Sequence, residues 1–173
     1  MAKKIEQLPA ALTGVTEPLS VAGALHPRRI NLNLAATDKD GVLRELVALI
    51  VAPQEKRPFE MLFKALKARE DLCPTCLNEG VAIPHSRNAL VGLVDQPTLA
   101  YGRHRVGVDF GALDGQPVRH FFLLCAPNVR DHLQLLARLS RLVSQSAFRA
   151  KLVEAATAEQ VIDLLQDAES KLS

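Results

Sequence analysis

The chain has 173 residues, 48% hydrophobic and 23% charged, with a formal net charge of +2 at pH 7. That balance supports a sizeable buried core and excludes an intrinsically disordered chain. Near-neutral charge with only 4% aromatic residues also excludes the basic, base-stacking surface of a nucleic-acid binder.

Met1 to Pro18 carries Lys3 and Lys4, but Glu6, Pro9 and Glu17 interrupt every apolar run. Neither a secretory segment nor a transmembrane span can be drawn, so a cytoplasmic protein without membrane insertion is expected. Residues 1–18 are expected to form a flexible N-terminal tail and residues 19–173 a single domain. Three cysteines, an odd number, give no disulfide framework in a reducing compartment.

Order is expected from His26. Ile30 to Leu34 alternates apolar and polar residues and reads as a strand. Thr37 with Asp40 resembles a capping box, opening a helix with Val42, Leu43, Leu46, Val47 and Ile50 on one face and Pro53 as its stop. Pro58 suits the first turn of a second helix, whose stripe is Phe59, Leu62, Phe63 and Leu66 and which ends near Glu70.

After a loop over Cys73 to Asn78, Gly80 is a flexible joint and Val81 to Pro84 a buried strand. Pro84 closes it, because its nitrogen cannot donate and it biases Ile83 to an extended backbone. His85 then stands at a strand's carboxyl end, where ligands and reacting groups collect in open α/β sheets. A neutral imidazole there suits nucleophilic or acid/base work near neutral pH.

Pro97 to His104 reads as a strand, Val106 to Phe110 as a separate short extended piece, and Asp114 to Pro117 as a turn. Val118 to Leu124 is the most apolar strand and is placed at the sheet's centre. Asn128 with Asp131 predicts an N-cap for a helix with Leu135, Leu136, Leu139, Leu142 and Val143 as its core stripe and His132 in its first turn. Helix dipole and free backbone N–H groups favour an anion at that point. Two further helices follow, one with Phe148, Leu152 and Val153, the other opening at Thr157 with Gln160 and burying Val161, Leu164 and Leu165. His26, His104 and His120 are read as structural or surface residues. The fold class expected is α/β, a small mixed β-sheet sandwiched between α-helices.

Three stretches carry a resemblance. G-V-A-I-P-H-S-R (Gly80 to Arg87), V-D-F-G-A-L-D-G-Q-P-V (Val108 to Val118), and F-L-L-C-A-P followed by H-L-Q-L-L-A-R-L-S (Phe122 to Ser140) resemble the enzyme IIA domains of the bacterial phosphotransferase system. The type is the fructose/mannitol one, which includes the nitrogen-regulatory IIA proteins. The likeness runs from about Leu19 to Leu165, with motifs in the family's order.

The resemblance implies a phosphocarrier. His85 would accept a phosphoryl group on Nε2 from a histidine-containing phosphocarrier protein and pass it to a downstream IIB domain, or use it as a signal to a regulated target protein. His132 falls on the family's second histidine. With Arg69 it would serve the phosphoryl oxygens, and Thr75 and the helix terminus are weaker candidates. Arg87 is a further candidate, read first as a solvated surface charge. No metal or organic cofactor is implied, since the phosphoryl group travels between protein side chains. As a free-standing unit the chain fits the nitrogen-regulatory type better than sugar uptake.

The loop departs from the family, which commonly has Ser-Thr and several glycines there. This chain has Cys73, Pro74, Thr75, Cys76, Leu77 and Asn78, with Thr75 retained in register and Asn78 expected to take a glycine's left-handed backbone. C-P-T-C keeps an alternative open: a binding module that is not phosphorylated, or a Cys-based metal or redox sensor. A zinc site would recruit His85 and either His132 or Cys125.

Overall fold

The structure is a computed structural model that describes residues 18–88 and 92–172. All but the last residue of the expected tail, 1–18, lies outside the described residues. The elements are α1 (Val21–Ala24), β1 (Leu25–Asn31), α2 (Lys39–Ala48), α3 (Lys56–Leu72), β2 (Cys76–Leu77), β3 (Val81–Ala82), β4 (Thr98–Val108), β5 (Val118–Cys125), α4 (Val129–Val143), α5 (Ser146–Glu154) and α6 (Ala158–Ser170). The five-stranded sheet has the order β1-β4-β5-β3-β2. β1 runs parallel to β4, β4 antiparallel to β5, β5 parallel to β3, and β3 antiparallel to β2.

β5 takes the central place because its run of Phe121, Phe122, Leu123, Leu124 and Cys125 is apolar on both faces, and a strand covered on both sides needs that. Phe122 and Leu124 face one core with Val81, Ile83, Leu99 and Tyr101, closed by α1, α4, α5 and α6. Phe121, Leu123 and Cys125 face the other with Ala82 and Ala100, closed by α2 and α3. Helices on both faces of a mixed sheet are the architecture expected. Gly102 permits the close approach of α2 to β4: a Cβ there would lie 2.7 Å from Leu34 Cδ1 and 2.9 Å from Leu46 Cδ2.

Several boundaries differ from expectation. The first strand starts at Leu25, not Ile30, and Pro27 lies inside it; an edge strand tolerates a residue that cannot donate. The one-turn α1 precedes it, capped by Ser20, whose hydroxyl accepts from Gly23 N–H. The N-cap of α2 is Asp38, not Thr37: its carboxylate accepts from Gly41 N–H at 2.7 Å. Ile50 lies beyond α2, which ends at Ala48, well before Pro53. The two extended pieces before the Asp114 turn are one strand, β4, whose register breaks between Arg103 and Val108. Gly107 makes that bend at φ 94°. Val153 faces solvent rather than the core.

The other histidines have local roles. Gly107 N–H donates to His104 Nδ1 at 2.9 Å, and Arg28 N–H donates to His26 Nδ1. His120 is buried, with Nδ1 2.7 Å from the Tyr101 hydroxyl. Burial, reinforced by Arg119 and Arg103, pushes its ring down to about 4.

The two ends of the described chain are tied by a buried carboxylate. In the last turn of α6, Glu169 accepts from Val21 N–H at 2.6 Å, from Ala22 N–H at 3.0 Å and from the Ser20 hydroxyl at 2.9 Å. It thereby satisfies the free donors at the start of α1. Removing it leaves those buried groups without an acceptor, so Glu169→Ala is expected to lower stability by about 2 kcal/mol. The check is urea unfolding followed by circular dichroism, with an unchanged m-value; a midpoint equal to that of the parent would show that this latch contributes nothing.

Candidate active site

The hairpin of β2 and β3 brings His85 into place. Its turn uses left-handed backbone at Glu79 (φ 68°) and Gly80 (φ 79°), so the left-handed residue is Glu79 and not Asn78. The turn is tied down where Glu79 N–H donates to Asp114 Oδ2 at 2.8 Å, and where Gly80 C=O accepts from Arg119 and His120 N–H. β3 then lies along β5, and Pro84, unable to donate, still accepts from Leu124 N–H at 2.9 Å. His85 bridges to Leu124 at the carboxyl end of the sheet.

β5 leads directly to the facing group. Asn128 caps α4 by accepting from Asp131 N–H at 2.9 Å, which puts His132 in the first turn with its side chain largely buried. The rings of His85 and His132 lie 5.3 Å apart between centroids, their planes tilted by 58°. Two elements far apart in sequence thus bring two imidazoles together.

The His85 ring has a defined orientation. Its Nδ1 lies 2.6 Å from the Ile83 carbonyl oxygen. A carbonyl only accepts, so Nδ1 carries the proton and Nε2 of the neutral ring keeps its lone pair. Burial lowers the pKa of His85 below the ordinary histidine value; the Ile83 hydrogen bond opposes this, and the Arg69 guanidinium adds to it. His132 is lowered as well, by burial first and then by the charge that His85 would carry. Both rings are therefore mainly neutral at pH 7.

Arg69, half-buried in the last turn of α3, donates through Nη1 to the Cys73 carbonyl at 2.7 Å. With Ser86, Arg87 and Asn88 it lines an open cleft of about 380 Å³, whose apolar side is Ala65, Ala68 and Leu72. Arg87 is exposed. The cleft begins at Ser86, the residue after His85; a neutral ring nitrogen facing a second imidazole, with a guanidinium at the nearby helix end, is an arrangement that can receive a phosphoryl group.

Residues 24–168 match the family model for "Phosphoenolpyruvate-dependent sugar phosphotransferase system, EIIA 2". The chain belongs to this family. It is 32% identical over 149 residues to the fructose-specific EIIABC component of Bacillus subtilis, covering 85% of this chain and 23% of that much longer protein. It is 32% identical over 148 residues to a nitrogen regulatory protein of Pseudomonas aeruginosa, covering 84% of this chain and 94% of the relative. Among solved structures, the nitrogen regulatory protein IIA-Ntr of Neisseria meningitidis superposes with a TM-score of 0.74 at 35% identity, over 84% of this chain and 98% of that one. Among the described residues no helix is long and apolar enough to cross a membrane.

Against this EIIA framework, two residues of the altered loop, Thr75 and Cys76, depart from expectation. Thr75 does not face the cleft with a free donor: it is buried, and its hydroxyl donates to Glu70 Oε2 at 2.6 Å. Cys76 does not lie in a loop but pairs with Ala82 in β2, a strand that two residues are too few to reveal by periodicity. Its Sγ approaches the Phe110 carbonyl at 3.4 Å. Burial, then the Glu70 carboxylate, pushes its thiol up to about 12, and burial alone does the same to Cys125. Thiols held protonated are poor nucleophiles. Among the described residues no three His, Cys, Asp or Glu side chains gather as a metal site, so the Cys73, Cys76, His85 set is not assembled.

The residue missed from sequence is Glu70. It is 2% exposed and continues the stripe of Leu62 and Leu66 at a spacing of four. A carboxylate in register with an apolar stripe was the available signal.

The two rings make an electrostatic pair with a testable sign. In histidine-detected NMR titrations both are expected to protonate below the ordinary histidine pKa. Arg69→Gln should raise that of His85, and His85→Asn should raise that of His132. A His132 titration indifferent to His85→Asn would contradict the ring-to-ring geometry.

Proposed function

We propose that this EIIA domain is a cytoplasmic phosphocarrier in which His85 Nε2 takes a phosphoryl group from the phosphohistidine of a histidine-containing phosphocarrier protein. The observation that carries the reading is the His85 ring itself. The Ile83 carbonyl occupies Nδ1–H, so the remaining nitrogen is an unprotonated nucleophile pointing away from that bond. As the P–N bond to Nε2 forms, the P–N bond to the donor ring breaks and its electron pair returns to the donor nitrogen. No proton need leave His85 during the transfer.

The developing charge lies on the equatorial phosphoryl oxygens. His132 and Arg69 are the groups assigned to them, one as a ring N–H donor and the other as a fixed positive charge beside His85. The assignment draws no role from Thr75, whose hydroxyl proton is engaged. Exposed Leu72, Val129 and Leu133 lie on α3 and α4 around Arg69 and His132. They provide a partly apolar rim of the kind that transient protein partners use.

The acceptor proposed is regulatory, a target protein read out by the phosphorylation state of His85, as the name of the Neisseria meningitidis relative suggests. Passage to a IIB domain is the second reading, favoured by the likeness to the fructose-specific component of Bacillus subtilis.

The test is to incubate the protein with phosphoenolpyruvate, enzyme I and the carrier protein, with intact mass as readout. One acid-labile phosphoryl adduct is expected on the parent and none on His85→Ala. His132→Ala should accept the group about 100-fold more slowly, the cost of one preorganised donor. No adduct from a carrier active on another substrate would remove the reading, and rapid transfer onward to a fructose-type IIB domain would favour the sugar acceptor over the regulatory one.

A further inference from the structure

Glu70 is a carboxylate buried among apolar neighbours, a placement that costs free energy unless its oxygens are saturated with donors. Both oxygens receive Thr75: its N–H donates to Oε1 at 2.8 Å and its hydroxyl to Oε2 at 2.6 Å. The Thr75 carbonyl, left over, accepts from Ile83 N–H at 3.0 Å. The Ile83 carbonyl in turn accepts from His85 Nδ1–H at 2.6 Å. The buried carboxylate and the imidazole of His85 are thus linked by hydrogen bonds through the backbone of Thr75 and Ile83. The loop is held on its other side as well, since Arg69, the neighbour of Glu70 on α3, donates to Cys73 C=O at 2.7 Å. Pro74, between the two anchors, limits what the backbone can do.

We propose that Glu70 is a positioning residue for His85: by clamping Thr75 it fixes the backbone of Ile83 on its N–H side, and so holds the Ile83 carbonyl that sets which nitrogen of the His85 ring is free. The clamp matters because a neutral imidazole takes either tautomer, and the partner of one nitrogen decides the state of the other. If the Ile83 carbonyl is no longer presented to Nδ1, the proton can reside on Nε2 and the lone pair that reacts is lost. The geometry stands by itself; the effect on rate rests on the phosphocarrier reading.

The test uses the full chain in its unphosphorylated form. Ring nitrogen shifts of His85 in ¹⁵N-histidine-labelled protein at pH 7.5 report the tautomer directly. The parent and Thr75→Ser, which keeps both donors to Glu70, are expected to show His85 almost wholly as Nδ1–H. Glu70→Gln and the double variant Glu70→Leu/Thr75→Val should shift it to a mixture of tautomers. The double variant removes side-chain carboxylate and hydroxyl together and so avoids stranding either one in the core. The same variants should accept a phosphoryl group about 10-fold more slowly, the usual scale for groups that orient a functional histidine. His85 remaining Nδ1–H in both Glu70 variants, even with lowered stability, would overturn the proposal and leave Glu70 as an anchor of the loop alone. A parent that accepts no phosphoryl group would overturn the phosphocarrier reading, while the ring shifts still decide the role of Glu70.

Discussion

The hydrogen bond from His85 Nδ1 to the Ile83 carbonyl closes within a stretch of two residues, yet nothing so local makes it persist. Both partners lie where a strand of only two residues, β3, runs out. A strand that short has no independent stability. It is kept in place by β5, which accepts and donates along Val81, Ala82, Pro84 and His85 on one side while pairing with β4 on the other. The geometry of a single imidazole is therefore a property of the centre of the sheet.

That centre is stable because both faces of β5 are dry. One face packs against α1, α4, α5 and α6, the other against α2 and α3. Each layer also contributes to the site. From the first comes His132, at the start of α4; from the second come Arg69 and Glu70, consecutive residues at the end of α3. His85, on the edge of the middle layer, thus faces the His132 ring from one layer at 5.3 Å between centroids, feels the charge of Arg69 from the other, and is linked to Glu70 only through the backbone of Thr75 and Ile83. The same arrangement leaves apolar Leu72 exposed at the cleft and Val129 and Leu133 exposed in the first turns of α4, close to His132 in sequence.

Much of this is legible in the amino-acid order. The apolar run of β5, the Asn128 cap and the Leu135, Leu139, Leu142 stripe of α4 obey strong periodic signals, and tertiary structure adds nothing that competes with them. The start of β1 is hidden in the sequence because Pro27, Arg28 and Arg29 look unlike a strand, and only its edge position makes them acceptable. β4 was divided because a glycine bend, in sequence, looks like an end. Thr75 was read by its place in a motif, which does not show where a hydroxyl points; its commitment to Glu70 depends on a turn of backbone between α3 and β2 that no local pattern encodes. Glu70 itself was legible, as a charge on the buried stripe of α3.

In the proposed mechanism the backbone selects the reacting nitrogen of His85 before any partner arrives. The most direct test of that selection is to phosphorylate ¹⁵N-histidine-labelled protein enzymatically and record ring nitrogen shifts with phosphorus coupling. One phosphorylated ring is expected, that of His85, with phosphorus bonded to Nε2 and the proton still on Nδ1. Phosphorus on Nδ1 of His85, or on His132 instead, would contradict it.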